Sequence, residues 1–286
     1  MIWLIGCKGL LGNELSLLFN KHNLQFYSTD SEVDITNLTN LNNYINNKSI
    51  KFIINCAAYT AVEKAEDEPE ICRLINTLGV SNISICSKYL NAKLLHISTD
   101  YVFDGKNNIP YRENDDTNPI SIYGITKRDG EIALIKKNTN SYIIRTSWMY
   151  GKHGNNFVTT MINLMNKNSQ IKVVSDQYGS PTWSYNLANI ILNIYKTQIP
   201  YGVYHYSNEG YITWYDFAKE IYKYGKEYGI INNNCSIFPC STNEYPSKVN
   251  RPLFSVLDNS KIKTALDISI PAWNESLSEY FKTYFH

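Results

Sequence analysis

Ile2-Trp3-Leu4-Ile5-Gly6-Cys7-Lys8-Gly9-Leu10-Leu11-Gly12 opens the chain and decides its fold. The first four residues are apolar without alternation, as in a strand buried on both faces of a parallel sheet. Three glycines follow at once in the spacing G-x-x-G-x-x-G. Leu11, Leu15, Leu18 and Phe19 then recur at helical spacing, so a helix is predicted over residues 10–21. Strand, glycine-rich turn and helix in that order form the context of a dinucleotide site. Gly6 permits the tight turn, Gly9 lets backbone approach a pyrophosphate, and Gly12 lets the helix pack closely. The helix N-terminus favours negative charge. A glycine-rich turn that binds nothing has the same local pattern, so the rest of the chain has to decide.

The pattern repeats. Strands are predicted at Leu24–Tyr27, Phe52–Asn55, Leu94–Ser98 and Tyr142–Thr146, separated by helices at Leu38–Asn46, Pro69–Tyr89 and Ser121–Lys136. This alternation predicts an α/β fold, a doubly wound parallel sheet of the Rossmann-like kind, with its ligand crevice at the carboxyl ends of the strands. Residues 1–150 are expected to form the dinucleotide-binding domain. Residues 151–286 are expected to be mainly a smaller substrate-binding cap. Helices are expected at Asn156–Asn166, Tyr185–Lys196 and Tyr215–Tyr228, with strands at Ile171–Val174 and Gly202–Tyr206. Parts of 170–207 are expected to extend the sheet, so the chain crosses between the two regions. Pro239, Pro246 and Pro252 break up the stretch that follows.

The strand ends carry the chemistry. Thr99 follows strand four, Ala57, Ala58 and Tyr59 follow strand three, and Trp148 follows strand five. Tyr123 and Lys127 are four residues apart on a predicted helix and so share a face. A phenol has a pKa near ~10, and a neighbouring ammonium favours the phenolate. The trio Thr99, Tyr123 and Lys127 therefore describes a proton donor with two groups to tune it, matched to carbonyl reduction or alcohol oxidation. Asp30 and Asp34 lie just after strand two, where an acid binds a ribose 2′-hydroxyl and favours NAD. Lys8, inside the glycine loop, favours a 2′-phosphate instead. The balance leans to NADPH, with NADH as the alternative.

Composition removes other classes. At 286 residues the chain can bury a large core. A formal net charge of +1 gives no field for nucleic acid or an anionic membrane. No apolar stretch reaches the ~18 residues needed to span a bilayer, and the N-terminus enters a strand without a visible signal peptide. The six cysteines contain no C-x-x-C pair, which favours buried free thiols and a cytoplasmic protein. The five histidines are scattered, and no metal site is expected.

Several runs occur in order: Cys56-Ala57-Ala58-Tyr59-Thr60-Ala61-Val62, Ser98-Thr99-Asp100-Tyr101-Val102-Phe103-Asp104-Gly105, Tyr123-Gly124-x-x-Lys127, Arg145-Thr146-Ser147-Trp148, Gly154-Asn155-Asn156-Phe157, Asp176-Gln177-Tyr178-Gly179-x-Pro181-Thr182 and Arg251-Pro252. Together with the glycine loop they make the chain resemble the extended short-chain dehydrogenase/reductases, and within them the dTDP-4-dehydrorhamnose reductase family. The resemblance covers nearly the whole length. It implies reduction of the C4 ketone of a dTDP-linked sugar by a nicotinamide cofactor. It implies that Tyr123 protonates the C4 oxygen, Thr99 hydrogen-bonds it, and Lys127 binds the nicotinamide ribose. Gly6, Lys8, Gly9, Leu10, Leu11, Gly12, Asp30, Asp34, Ile35, Ala57, Ala58 and Tyr59 would hold the cofactor. Asp100, Tyr101, Val102, Trp148, Asn155, Asn156 and Arg251 would join Thr99 at the nucleotide sugar, with Arg251 suited to a diphosphate.

Some members of that family hold Mg²⁺ at a dimer interface with three carboxylates. Here Glu14 matches the first position, but Tyr185 and Thr283 stand at the others, so no such metal is expected and a homodimer built on it is in doubt. Thr99-Asp100 is followed by Tyr101, not by the glutamate of a 4,6-dehydratase. The alternatives are a reductase of a related 4-keto-6-deoxy nucleotide sugar and a non-catalytic NADP-binding regulatory subunit.

Overall fold

Residues Ile2–Ile5 (β1) form a strand buried along its whole length, between Phe26–Thr29 (β2) and Phe52–Asn55 (β3). Lys93–Thr99 (β4), Ser141–Thr146 (β5) and a last strand, Gly202–His205, continue outward from β3. All five pairings are parallel. The structure is a computed structural model that describes residues 1–285. The strand order reverses at β1, whose neighbours are the two strands that follow it. A ligand crevice opens at such a switch point, beyond the carboxyl ends.

Helices cover both faces. Leu10–Lys21 (α1) and Ser184–Thr197 pack on one side through Leu11, Leu15, Leu187 and Ile191. Leu38–Ile45 (α2), the helix through Val80–Tyr89 and the helix Ile122–Lys137 pack on the other, around Trp3, Leu41, Ile83 and Leu134. A third core gathers Phe157–Lys167, Trp214–Glu227 and Trp273–Phe285. The chain leaves that core at Trp183 to give the sheet a helix and its last strand.

The doubly wound sheet agrees with the sequence pattern, with three corrections. β2 begins two residues later than expected. Asn23 takes a left-handed φ of 54°, and the Leu24 N–H donates to Phe19 O at 2.9 Å, so these residues close α1. Gln170–Val174 does not join the main sheet but pairs in parallel with Ser236–Cys240. That partner contains Pro239, which an edge strand tolerates because it need not donate there. Finally, the long helix from Pro69 contains a π-helical stretch, Leu74–Gly79.

Candidate active site

The first βα turn is set by its glycines. Gly6 has φ 78°, and a Cβ there would sit 2.7 Å from Ala57 N. A Cβ on Gly12 would sit 2.1 Å from Gly6 O, so α1 reaches this turn only with glycine. The Gly6 and Cys7 N–H groups donate to Thr29 O at 2.8 and 3.0 Å. This ties the loop to the end of β2 and brings Asp30 beside it. A cavity of about 490 Å³ follows, lined by Gly6, Lys8, Gly9, Asp30, Asp34, Ile35, Ala57 and Ala58 among others. All eight were cofactor candidates from sequence. Asp30 Oδ2 accepts from the Lys8 N–H at 3.0 Å, and the exposed Lys8 ammonium pairs with Glu32 at 3.5 Å.

A second cavity, about 420 Å³, adjoins the loop at Gly9 to Gly12. Thr99, Asp100, Tyr101, Tyr123, Lys127, Trp148, Asn155 and Arg251 all line it. The strand ends thus converge as the topology requires. Ser121 caps the helix that carries the pair, its Oγ accepting from the Gly124 N–H at 3.1 Å, so the helix starts just before Tyr123. Lys127 is 2% exposed and donates to Ile97 O at 2.6 Å. Burial pulls its ammonium down to about 8, against the upward pull of Glu131. Glu131 is itself gripped by the buried Arg145 through a 2.7 Å contact and by Ser98.

Thr99 Oγ accepts from the Tyr101 N–H at 3.2 Å and donates to Asp100 Oδ1 at 3.0 Å. Tyr123 lines the cavity beside Thr99. Burial pushes the Asp100 carboxyl up to about 6, partly offset by Ser255 and Thr99, and its Oδ2 has no partner. One expectation needs correction. Burial raises the Tyr123 phenol above its ordinary range, and the lowering comes from Thr99, not from Lys127. Desolvation outweighs the charge effect here because Lys127 is pulled toward neutrality by the same burial.

Trp148 adopts φ 45°, a backbone region that bulky residues rarely occupy. Its ring stacks on Trp214 at 3.4 Å and 8°, and a Cβ on Gly179 would collide with it. Trp214 also lines the cavity and has no warning in the sequence beyond its aromatic character. Arg251 donates to Tyr101 Oη and to Glu63 Oε1, both at 2.7 Å.

Along the whole of residues 1–285 the sequence matches the family model described as RmlD substrate binding domain. A dTDP-4-dehydrorhamnose reductase of Aggregatibacter actinomycetemcomitans is 36% identical over 279 residues, covering 95% of each chain. The spore coat polysaccharide biosynthesis protein SpsK of Bacillus subtilis is 37% identical over 278 residues, covering 97% of this chain and 95% of its own. The crystal structure of dTDP-4-dehydrorhamnose reductase from Bacillus anthracis in complex with NADP has a TM-score of 0.93 at 37% identity, covering 99% of this chain and 98% of that one. The chain belongs to the dTDP-4-dehydrorhamnose reductase family.

Three candidates inferred from resemblance to the reductase family lie outside the cavities. Val102 is fully buried in a small core with Phe103, Tyr111 and Leu257. Asn156 caps Phe157–Lys167, its Oδ1 accepting from the Thr159 N–H and its Nδ2 donating to Gly151 O. Tyr59 turns its hydroxyl to Glu68. Asn76, in the π-helical stretch, was not foreseen. It holds the Tyr59 backbone through both N–H and C=O, fixing the loop after β3.

The reductase family's metal position does not fit a hard cation. Glu14 accepts from the Tyr284 hydroxyl at 3.3 Å, and burial raises its carboxyl toward the neutral form. Among the described residues no group of three or more His, Cys, Asp or Glu side chains could hold a metal. No helix among them is long and apolar enough to cross a membrane.

Proposed function

We propose that this chain reduces the C4 ketone of dTDP-4-dehydro-L-rhamnose to dTDP-L-rhamnose, with NADPH as reductant and NADH as second choice. One observation carries the reading. Thr99, Tyr123 and Lys127 line a single cavity beside the glycine loop, in a chain that belongs to this reductase family. The glycine cradle fits a dinucleotide, since a side chain at Gly6 or Gly12 would fill it. In this reading Gly6, Gly9, Leu10, Leu11 and Gly12 hold the pyrophosphate, while Lys8, Asp30, Asp34 and Ile35 surround the adenosine ribose. Ala57 and Ala58 line its path, and Lys127 binds the nicotinamide ribose. The bound nicotinamide supplies the hydride.

The protein's own task is then geometry and a proton. Tyr123 gives its hydroxyl proton to the C4 oxygen, and Thr99 donates to that oxygen as negative charge develops. For this the Thr99 hydroxyl must turn from Asp100 to the substrate. Asp100 lines the same cavity and is read as a sugar contact, since the turn of the Thr99 hydroxyl frees its Oδ1. Trp148 and Trp214 form a flat wall for the nucleotide sugar, with Tyr101 and Asn155 beside it. Arg251 is placed to exchange Glu63 for the substrate diphosphate.

The test follows nicotinamide absorbance when the protein meets NADPH and dTDP-4-dehydro-L-rhamnose. Turnover that vanishes in Tyr123→Phe supports the reading. Cofactor binding without turnover of this sugar would sink it, and activity on another 4-keto-6-deoxy nucleotide sugar would replace it.

The same reading assigns residues 1–150 to cofactor binding and most of 151–286 to substrate binding. It places the enzyme in the cytoplasm, which suits six unpaired thiols. A homodimer fits the half-exposed apolar side chains Ile71, Leu74, Leu78, Ile132 and Ile135 on adjoining helices. Light scattering after size exclusion tests that assembly, and a monomer at micromolar concentration would reject it.

A further inference from the structure

His96 lies on β4, fully buried, and takes no part in the chemistry described so far. Its ring sits between two polar side chains. Asn55 Nδ2 is 3.0 Å from His96 Nδ1, and Lys127 Nζ is 3.5 Å from His96 Nε2. The orientation of Asn55 is fixed independently. Its Oδ1 is 3.1 Å from the Ala57 backbone N–H, which can only donate, so the carboxamide nitrogen must face the histidine. A carboxamide nitrogen can only donate. His96 Nδ1 must therefore accept, and a neutral ring then carries its single proton on Nε2. Burial and the adjacent lysine hold the ring neutral.

Nε2–H consequently points at the lysine nitrogen. An ammonium offers that proton no lone pair, whereas an amine accepts it while still donating to Ile97 O. We propose that His96 is a positioning residue for Lys127: locked by Asn55 with its proton on Nε2, it presents a donor to Nζ and favours the uncharged amine.

The other groups around Nζ divide. Glu131, on the same helix, favours the ammonium, but Arg145 and Ser98 already compensate that carboxylate. Cys56 at the end of β3 and Cys72 on the facing helix are free thiols, and burial keeps both in the neutral form. Tyr123, one turn earlier, is likewise held neutral. His96 is therefore the nearby donor that opposes the charge. The inference rests on the reductase reading only for its use. In that reading Lys127 binds the nicotinamide ribose, and its amine form can accept from His96 while donating to Ile97 O and to a ribose hydroxyl.

Two nuclear magnetic resonance measurements on the full chain decide the matter. The first follows the ring nitrogens of His96, assigned by their loss in His96→Gln. A protonated Nε2 and a bare Nδ1 are expected from about pH 6 to about pH 9. A proton on Nδ1, or an imidazolium, overturns the inference without any functional variant. The second follows the Lys127 Cε signal. Its titration midpoint is expected near 8 in the unmodified chain. In His96→Met, which removes the donor, it should rise by roughly one pH unit. In His96→Gln it should stay, because a carboxamide can accept from Asn55 and donate to Nζ. An unshifted midpoint in folded His96→Met refutes the proposal. If both resonances behave as expected and the protein still reduces no keto sugar, the reductase reading fails and the role of His96 stands.

Discussion

Asp100→Asn should make the protein more stable at neutral pH, and the gain should depend on pH. Folding buries Asp100 to 2% exposure and leaves Oδ2 without a partner. Its pKa rises from 3.8 to about 6. At about 1.4 kcal/mol per pH unit, that rise corresponds to about 3 kcal/mol. The sign follows from proton binding. Between these pH values the folded state holds the proton and the unfolded state has lost it. The stability from Asp100 is thus complete below about pH 3.8, falls as pH rises to about 6, and stays low above. Asparagine keeps an oxygen for Thr99 and has no charge to desolvate. Denaturant unfolding of both chains at several pH values gives the difference between them. Asp100→Asn should gain up to about 3 kcal/mol on the original chain between about pH 4 and pH 7. A difference that does not vary with pH would refute the reasoning, whatever its size. The same variant should raise KM for the nucleotide sugar if the Asp100 carboxylate serves a sugar hydroxyl.

Lys8→Ala should raise KM for NADPH several-fold, about 1 kcal/mol, and leave KM for NADH nearly unchanged; equal effects would remove Lys8 as a determinant of cofactor choice. Asn156→Ala should lose about 1 kcal/mol of stability in chemical denaturation, as a lost helix cap does, with KM for the sugar unchanged. A KM increase without a stability loss would return Asn156 to the substrate. Glu131→Gln should cost about 3–5 kcal/mol because it leaves the buried Arg145 without its counter-charge, and a loss under about 1 kcal/mol would show that this pair is not desolvated.

The sheet was readable because its evidence is local. An unbroken apolar run and a glycine turn report burial on both faces, and β1 and β3 carry such runs, buried in full. The elements missed were those whose local pattern misleads. Ser236–Cys240 contains a proline that argues against a strand until a neighbour is known to leave that edge free. The end of α1 absorbs Leu24 through a left-handed Asn23, so apolar character alone misplaced β2.

The site divides in the same way. Thr99 and the Tyr123–Lys127 pair were legible because one sits at a strand end and the others share a helix face. Asn156 had a residue type that suits a sugar and a position that suits a helix cap; the cap won because Thr159 completes a reciprocal pair of hydrogen bonds. Trp214 and Glu63 entered only through folding. Each is far in sequence from its partner, Trp148 for one and Arg251 for the other. No local pattern reports such meetings, yet they set the wall and the cation of the proposed substrate pocket. The left-handed backbone at Trp148 shows how firmly that wall is held. Such a conformation persists only where surroundings over-determine it. Here the tight fit over Gly179 and the stack on Trp214 do so. A side chain at position 179 would therefore displace the indole before it disturbed the sheet, and would separate loss of substrate binding from loss of the fold.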